Sequence, residues 1–303
     1  MIEENVTFYS EGDKIAGILR LPDKMDGPAP GIVQGPGFLG LKGGKLYKQY
    51  HDLLIDAGFV VLVFDYRGFG DSEGDSVLYP ERQIADIRNA VSYIETRDEV
   101  DNNRIGLFGS GGTGGGNAVV AAARDKRVQC MVANNAVADG AEWVRGMRRE
   151  YEWLGLLDAL EEDRKQRALT GKSKMIPSRG LEGLQIPTPE RMTTSVKSDV
   201  DTKIPQELPL SCAEAIIEYC PEDVVGQIEG GVLFICVEND DTTPERQTIR
   251  LYEKASSPKK IIIQRGTSHY AAYGKYIDSV GPQIVEWFEE HLKYEGLKII
   301  EES

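Results

Sequence analysis

Four short stretches of the chain are apolar without alternation: Phe59 to Phe64, Ile105 to Phe108, Val232 to Val237 and Ile261 to Ile263. Each is too compact for a helix and too continuous for a strand with one wet face, which is the pattern of strands buried on both faces of a parallel sheet. Between them, apolar residues recur at three and four. Leu46, Tyr50, Leu53, Leu54 and Ala57 form one such stripe, Ile84, Ile87, Val91 and Ile94 a second, and Ile284, Val285, Phe288 and Leu292 a third. Each predicts an amphipathic helix, and Gly58 stands where the first would end. The order is βαβαβαβ. Nearer the N-terminus, Asn5 to Ser10 and Lys14 to Leu21 flank Glu11-Gly12-Asp13 as an antiparallel hairpin does, so the sheet is expected to be mixed at one edge. After Ala138 the alternation lapses for about ninety residues, too long for a loop. This span opens with a helical stretch containing Trp143, Arg145, Arg148, Arg149, Tyr151, Trp153 and Arg164, then turns Pro- and Ser-rich from Gly171 to Pro209. The expected organisation is a core of residues 1–138 and 229–303 with a cap, 139–228, inserted after the sixth strand.

Composition supports one large core: 41% of residues are hydrophobic and 28% charged, near the soluble globular average. Thirty-five basic against 49 acidic residues give a net charge of −14, which repels a phosphate backbone and argues against a nucleic-acid partner. Glu3 and Glu4 stand where a signal peptide would be basic, and no stretch approaches a membrane span, so a cytoplasmic protein with no membrane partner is expected. Cys130, Cys212, Cys220 and Cys236 form no C-x-x-C pair. The expectation is buried free thiols, with no metal site or disulfide framework.

Four segments carry candidate chemistry. Gly31-Ile32-Val33-Gln34-Gly35-Pro36-Gly37-Phe38 reads as a strand entering a turn, and since Pro36 has no N–H, a backbone donor there falls to Gly37 or Phe38. Asp65-Tyr66-Arg67-Gly68-Phe69-Gly70-Asp71-Ser72-Glu73-Gly74 is a glycine-punctuated loop in which Arg67 and Asp71 are expected to pair. The strand Arg104 to Phe108 runs into Gly109-Ser110-Gly111-Gly112-Thr113-Gly114-Gly115-Gly116. A Gly-x-Gly-x-x-Gly phosphate cradle also fits there, but no Lys follows. Finally, Asp240 and Asp241 lie in the turn after Val232 to Val237, and His269 and Tyr270 in the loop after Ile261 to Ile263. Loops at the C-terminal ends of parallel strands are where such folds place function. The other histidines, His51 and His291, lie on helices and read as structural.

Taken in order, these segments resemble the α/β-hydrolase fold, nearest the dienelactone-hydrolase and cocaine-esterase-like (X-Pro dipeptidyl-peptidase-like) branch. The resemblance covers the core and not the cap. It implies an α/β-hydrolase fold with a mostly parallel twisted sheet, an oxyanion donor at Gly37 or Phe38, an acid at Asp240 rather than Asp241, and a catalytic histidine at His269. It also implies a nucleophile elbow, a strand-to-helix turn reading G-x-nucleophile-x-G. Here the nucleophile position falls on Gly111, which has no nucleophile, with Gly112 as the following oxyanion donor. Two hydroxyls are near: Ser110, one position early, and Thr113, at the centre of the shifted pattern Gly111 to Gly115.

The resemblance implies a cofactor-independent hydrolase or acyl transferase taking a small ester, lactone or diketone as its partner. If neither hydroxyl serves, Asp240 and His269 can act as a general base without an acyl-enzyme, as in a C–C hydrolase, lyase or cyclase. The third class is a binding module with a dead elbow. Trp143, Tyr151 and Tyr270 are the expected substrate contacts, although such aromatics also serve as plain packing, and the arginines near them read as a solvated ion-pair face beside Glu150, Glu152, Glu161 and Glu162. A homodimer is compatible with this reading.

Overall fold

The apolar runs become the middle of a sheet covered on both sides, since a strand with no polar face has nowhere else to go. A computed structural model describes residues 1–180, 183–185, 188, 190, 203–256 and 258–292. The strands are β1 (Ile2–Ser10), β2 (Asp13–Leu21), β3 (Ala29–Gly35), β4 (Val60–Phe64), β5 (Val100–Ser110), β6 (Val128–Asn134), β7 (Met175–Pro177), β8 (Glu207–Pro209), β9 (Gly231–Val237) and β10 (Lys259–Gln264). Eight of them form one sheet in the order β1-β2-β4-β3-β5-β6-β9-β10. β2 is antiparallel to β1 and to β4, and the remaining pairings are parallel. This is the α/β-hydrolase fold. The β1–β2 connection is the tight turn Glu11-Gly12, both with positive φ (49° and 97°), as a type I′ hairpin requires.

Helices α1 (Lys45–Asp56), α2 (Pro80–Ile94), α3 (Gly112–Arg124), α4 (Gly140–Gly146), α5 (Glu150–Thr170), α6 (Ser211–Ile217), α7 (Glu245–Lys254), α8 (Ala271–Lys275) and α9 (Ile277–Leu292) complete the architecture. α1 and α9 bury Tyr50, Leu54, Ile284 and Phe288 against one face of the sheet, while α2 and α3 bury Ile84, Ile87, Val91, Val119 and Val120 against the other. Each such side chain contributes roughly 1.5–3 kcal/mol on leaving water. Among the described residues, no helix is long and apolar enough to cross a membrane.

Three expectations need correcting. β10 is not buried on both faces: it is the edge strand, and Ile263 is 42% exposed. Arg67 and Asp71 do not pair. Arg67 bonds the buried Asp86 at 2.7 Å and Glu11 at 2.5 Å, because it points back under β1 and α2, while Asp71 is held at 2.6 Å by Lys42 and at 2.7 Å by Lys203. Those two ammonium groups, Lys203 first, hold the Asp71 carboxyl down at about 2. Lys203 lies in the span between β6 and β9, so this pair fastens that span to the loop after β4. The helical stretch expected from Trp143 onward is two helices, α4 and α5, separated at Met147 to Arg149. Pro187 and Pro189 of the Pro-rich stretch lie outside the described residues, whereas Pro209 ends β8.

The four cysteines are free and three are buried. Burial raises every thiol, Cys212 and Cys220 to about 11 and Cys236 to about 12, which keeps them protonated and unreactive.

His51 shows how the sheet manages a buried polar group. Its ring is fully buried on α1, with Nδ1 accepting from Arg20 and Nε2 donating to Gln34. Burial, with Arg20 and Lys48 adding, holds this imidazole well below its usual value. The folded protein therefore refuses a proton that the unfolded chain takes up below about pH 6.5. Stability should fall as the pH drops below that point on account of His51, by at most about 1.4 kcal/mol per pH unit. Urea denaturation across mildly acidic pH should show a shallower pH dependence in His51→Gln than in the parent; parallel curves would remove His51 from the account.

Candidate active site

The elbow is built where β5 hands over to α3. Gly111 is the residue before the helix, with φ 72° and ψ 163°, a conformation open to glycine and strained for other residues. Its N–H donates to the Asn134 carbonyl at 2.9 Å and its carbonyl accepts from Gly115 N–H at 2.7 Å, so the turn is fixed from both sides. A Cβ placed on Gly111 would meet nothing closer than the Gly37 Cα, at 3.5 Å. The nucleophile position is therefore an open hollow.

The neighbouring glycines do a different job. A Cβ on Gly114 would lie 2.4 Å from the Pro36 carbonyl oxygen, and one on Gly115 would lie 2.8 Å from the Ala136 Cβ. These glycines let α3 press against the backbone after β3 and after β6. They meet protein instead of lining an open cradle, which removes the phosphate-loop reading.

Neither candidate hydroxyl reaches His269. Ser110 is the last residue of β5, and its buried Oγ lies 3.0 Å from the Tyr273 hydroxyl. Burial holds the Tyr273 phenol well above its usual value, so it remains a neutral partner. Thr113 sits inside the first turn of α3, with its Oγ1 buried and without a hydrogen-bond partner among the described residues. Strand alternation and the helical turn aim both side chains away from the hollow, which is lined by Gly111, Gly112 and His269 but by neither hydroxyl residue.

Asp240 and His269 are brought together. His269 Nδ1 lies 2.7 Å from Asp240 Oδ2, with both side chains buried. Asp240 Oδ1 accepts the Thr242 N–H at 2.7 Å and the Thr243 N–H at 3.0 Å. The carboxylate is thus oriented by its own turn, and its bond to Nδ1 puts the ring proton there and leaves Nε2 as a proton acceptor. Tyr270 packs edge-on against the ring, centroids 4.8 Å apart.

The structure also separates the two expected backbone donors. Gly37 N–H is engaged by the Tyr47 hydroxyl at 3.3 Å. The Phe38 and Gly112 N–H groups have no hydrogen-bond acceptor among the described residues.

Two small cavities share Phe38, Leu46, Tyr47 and Tyr270 in their walls. The first, about 50 Å³, is floored by Gly111 and Gly112 and bounded by His269, Trp143 and Thr243. The second, about 60 Å³, is mostly apolar, with Leu39, Leu41 and Ile204 beside Arg179. Trp143 is anchored by its Nε1–H on the Thr242 carbonyl at 2.8 Å and packs edge-on to Phe38. Tyr151 does not join it: on the outer face of α5 it is 66% exposed and lines neither cavity. Sequence reasoning missed Tyr47, Tyr273, Gln185 and Thr243. The tyrosines sit in helical stripes that read as packing, and only Thr243, three residues after the acid, carried a local signal. Among the described residues, one group of three potential metal ligands occurs, Asp139, Cys220 and Glu222. Glu222 is already paired with Arg250 and Lys254, and none of the three lines either of the two cavities described above.

Comparison with known proteins agrees with this fold. The sequence profile of the X-Pro dipeptidyl-peptidase (S15) family matches residues 11–270. An uncharacterized 31.7 kDa protein of the traX–finO intergenic region of Escherichia coli is 31% identical over 291 residues, 95% of this chain and 99% of that one. The quorum-quenching protein AidA of Acinetobacter baumannii is 26% identical over 274 residues, 89% of this chain and 88% of its own length. Among solved structures, the α/β hydrolase GrgF from Penicillium sp. sh18 superposes with a TM-score of 0.80 at 19% identity, covering 97% of this chain and all of that one.

The contrast between Gly111 and Gly114 is testable by stability alone. Gly111→Ala has room and should cost about 1–3 kcal/mol through backbone strain. Gly114→Ala drives a methyl into the backbone of Pro36 and Gly37 and should cost more, because the loop bearing Phe38 must move. Chemical denaturation of the two variants checks the order. Equal or reversed losses would mean that α3 does not press on that loop.

Proposed function

Because the chain belongs to the X-Pro dipeptidyl-peptidase (S15) family and is a hydrolase of the α/β-hydrolase superfamily, we propose that it cleaves a small ester, lactone or diketone with water itself as the nucleophile. The observation that carries this reading is the hollow above Gly111. Where the family pattern places a nucleophilic side chain, this chain has space next to His269, in a cavity of about 50 Å³. That is enough for an ordered water beside a carbonyl group.

In this reading the substrate carbonyl oxygen is held by the N–H groups of Phe38 and Gly112. A water above Gly111 attacks the carbonyl carbon while His269 Nε2 takes its proton. Asp240 stabilises the imidazolium that forms, and the same proton passes to the leaving oxygen, or to the leaving carbon of a diketone, as the tetrahedral intermediate collapses. The water oxygen ends in the product acid. A positioned general base supplies about 10²–10⁴-fold, and an oxyanion donor about 10²–10³-fold. The apolar neighbouring cavity suits a short hydrocarbon arm of the substrate, with Trp143 and Phe38 at the junction.

The competing reading, Ser110 or Thr113 as nucleophile, predicts covalent labelling. A fluorophosphonate should leave the parent protein unmodified while it turns over ester, and Gly111→Ser should take the label on the introduced hydroxyl. A mass shift on Ser110 or Thr113 of the parent would overturn the water mechanism. In parallel, His269→Ala should lower kcat by about 10²–10⁴-fold with little change in Tm, whereas Ser110→Ala and Thr113→Val should retain turnover.

A further inference from the structure

The loop that carries His269 is finished by a residue from the span between β6 and β9. Helix α8 starts two residues after His269, and its first N–H groups have no partner within the helix. Tyr270, at its N-cap, offers no side-chain oxygen to them. Glu190 does so from eighty residues away. Its Oε1 accepts the Ala271 N–H at 3.0 Å, its Oε2 lies 3.4 Å from the Tyr270 N, and the Ser268 hydroxyl donates to Oε1.

These three donors, on residues 268, 270 and 271, bracket His269 along the chain. The ring is tied on one side to Asp240, and the backbone beneath it on the other side to Glu190. Hydrogen bonds to an ionised carboxylate are about twice as strong as neutral ones, and a negative group at a helix start is favoured by the helix dipole. Further up the loop the ties are different: Lys275 Nζ donates to the Gly266 carbonyl at 2.5 Å and the Tyr276 hydroxyl to that of Arg265, which fixes the end nearer β10.

We propose that Glu190 is the positioning residue for His269, so that the Asp240–His269 pair reaches its working geometry only with this carboxylate seated on residues 268–271. The inference rests on His269 acting as the base of the proposed reaction. Displacing a catalytic group by an ångström costs about 10²-fold in rate.

A readout that does not depend on turnover separates the two ideas. The chain has 3 histidines, so the low-field imidazole proton of His269 Nδ1 can be assigned by NMR on protein carrying ¹⁵N-histidine. In Glu190→Ala that signal should shift or broaden, while the ring signals of His51 and His291 stay in place; Glu190→Gln, which keeps an acceptor oxygen, should restore it. With p-nitrophenyl acetate as the probe, Glu190→Ala should lose about 10- to 100-fold in kcat with KM little changed. An unmoved His269 signal in Glu190→Ala would overturn the proposal, as would movement of all three histidines together, which would mark a general structural role. A moved signal without a loss in kcat would keep Glu190 as the positioning residue and count against His269 as the base.

Discussion

Everything at the centre of this molecule depends on how closely α3 lies against two stretches of backbone. A helix with ordinary side chains in its first turns would stand off from the loops after β3 and β6. With glycine at 114 and 115 the backbones meet, and the contact brings the Gly112 N–H, the Phe38 N–H and the Gly111 hollow into one small space. The site is therefore set by main-chain packing before any reactive side chain is considered. The glycine run, which on composition alone suggests flexibility, here produces a close-packed junction of α3 with the ends of β3, β5 and β6.

The two buried histidines show how neighbours decide what an imidazole does. His51 faces a guanidinium and an amide, in a place where a second positive charge would be costly, and it serves as a neutral link inside the sheet. His269 faces a carboxylate whose other oxygen is saturated by two backbone donors, so a positive charge on its ring would be matched. The residue type is the same, and the sign of the adjacent charge separates a structural element from a candidate base.

Much of the core was legible in the chain because its period is strong. The apolar runs at 59–64 and 232–237 leave no alternative to central strands, and the stripes on α1, α2 and α9 mark the faces that cover them. β6 was harder, since Gln129, Cys130 and Asn134 interrupt its apolar letters although the strand is almost entirely buried. The pairing of Asp240 with His269 followed from position after successive strands, because parallel topology puts such loops side by side. What could not be read was direction. Whether Ser110 points into the cleft or behind it depends on the phase of one strand at its last residue, and Arg67 chose Asp86 over Asp71 because of a fold-back under α2 that no local spacing encodes. Glu190 was invisible for the same reason: its partners are eighty residues away, and nothing in a short window of sequence marks it.

The position of β10 has a consequence for how the protein behaves in crowded solution. Three consecutive isoleucines on a strand that has no outer neighbour among the described residues, one of them exposed, are a ready template for the strand of another molecule. Lys259 and Lys260 precede them and Arg265 follows, so positive charges bracket the vulnerable segment at both ends in a chain whose overall charge is strongly negative. An approaching copy of the same edge would set these cations against one another in either orientation. Cations at the two ends of an edge segment are among the devices by which natural sheets discourage edge-to-edge pairing, and here two of them also have work inside the molecule: Lys259 Nζ donates to the carbonyls that end α7, and Arg265 pairs with Glu238 at 3.1 Å.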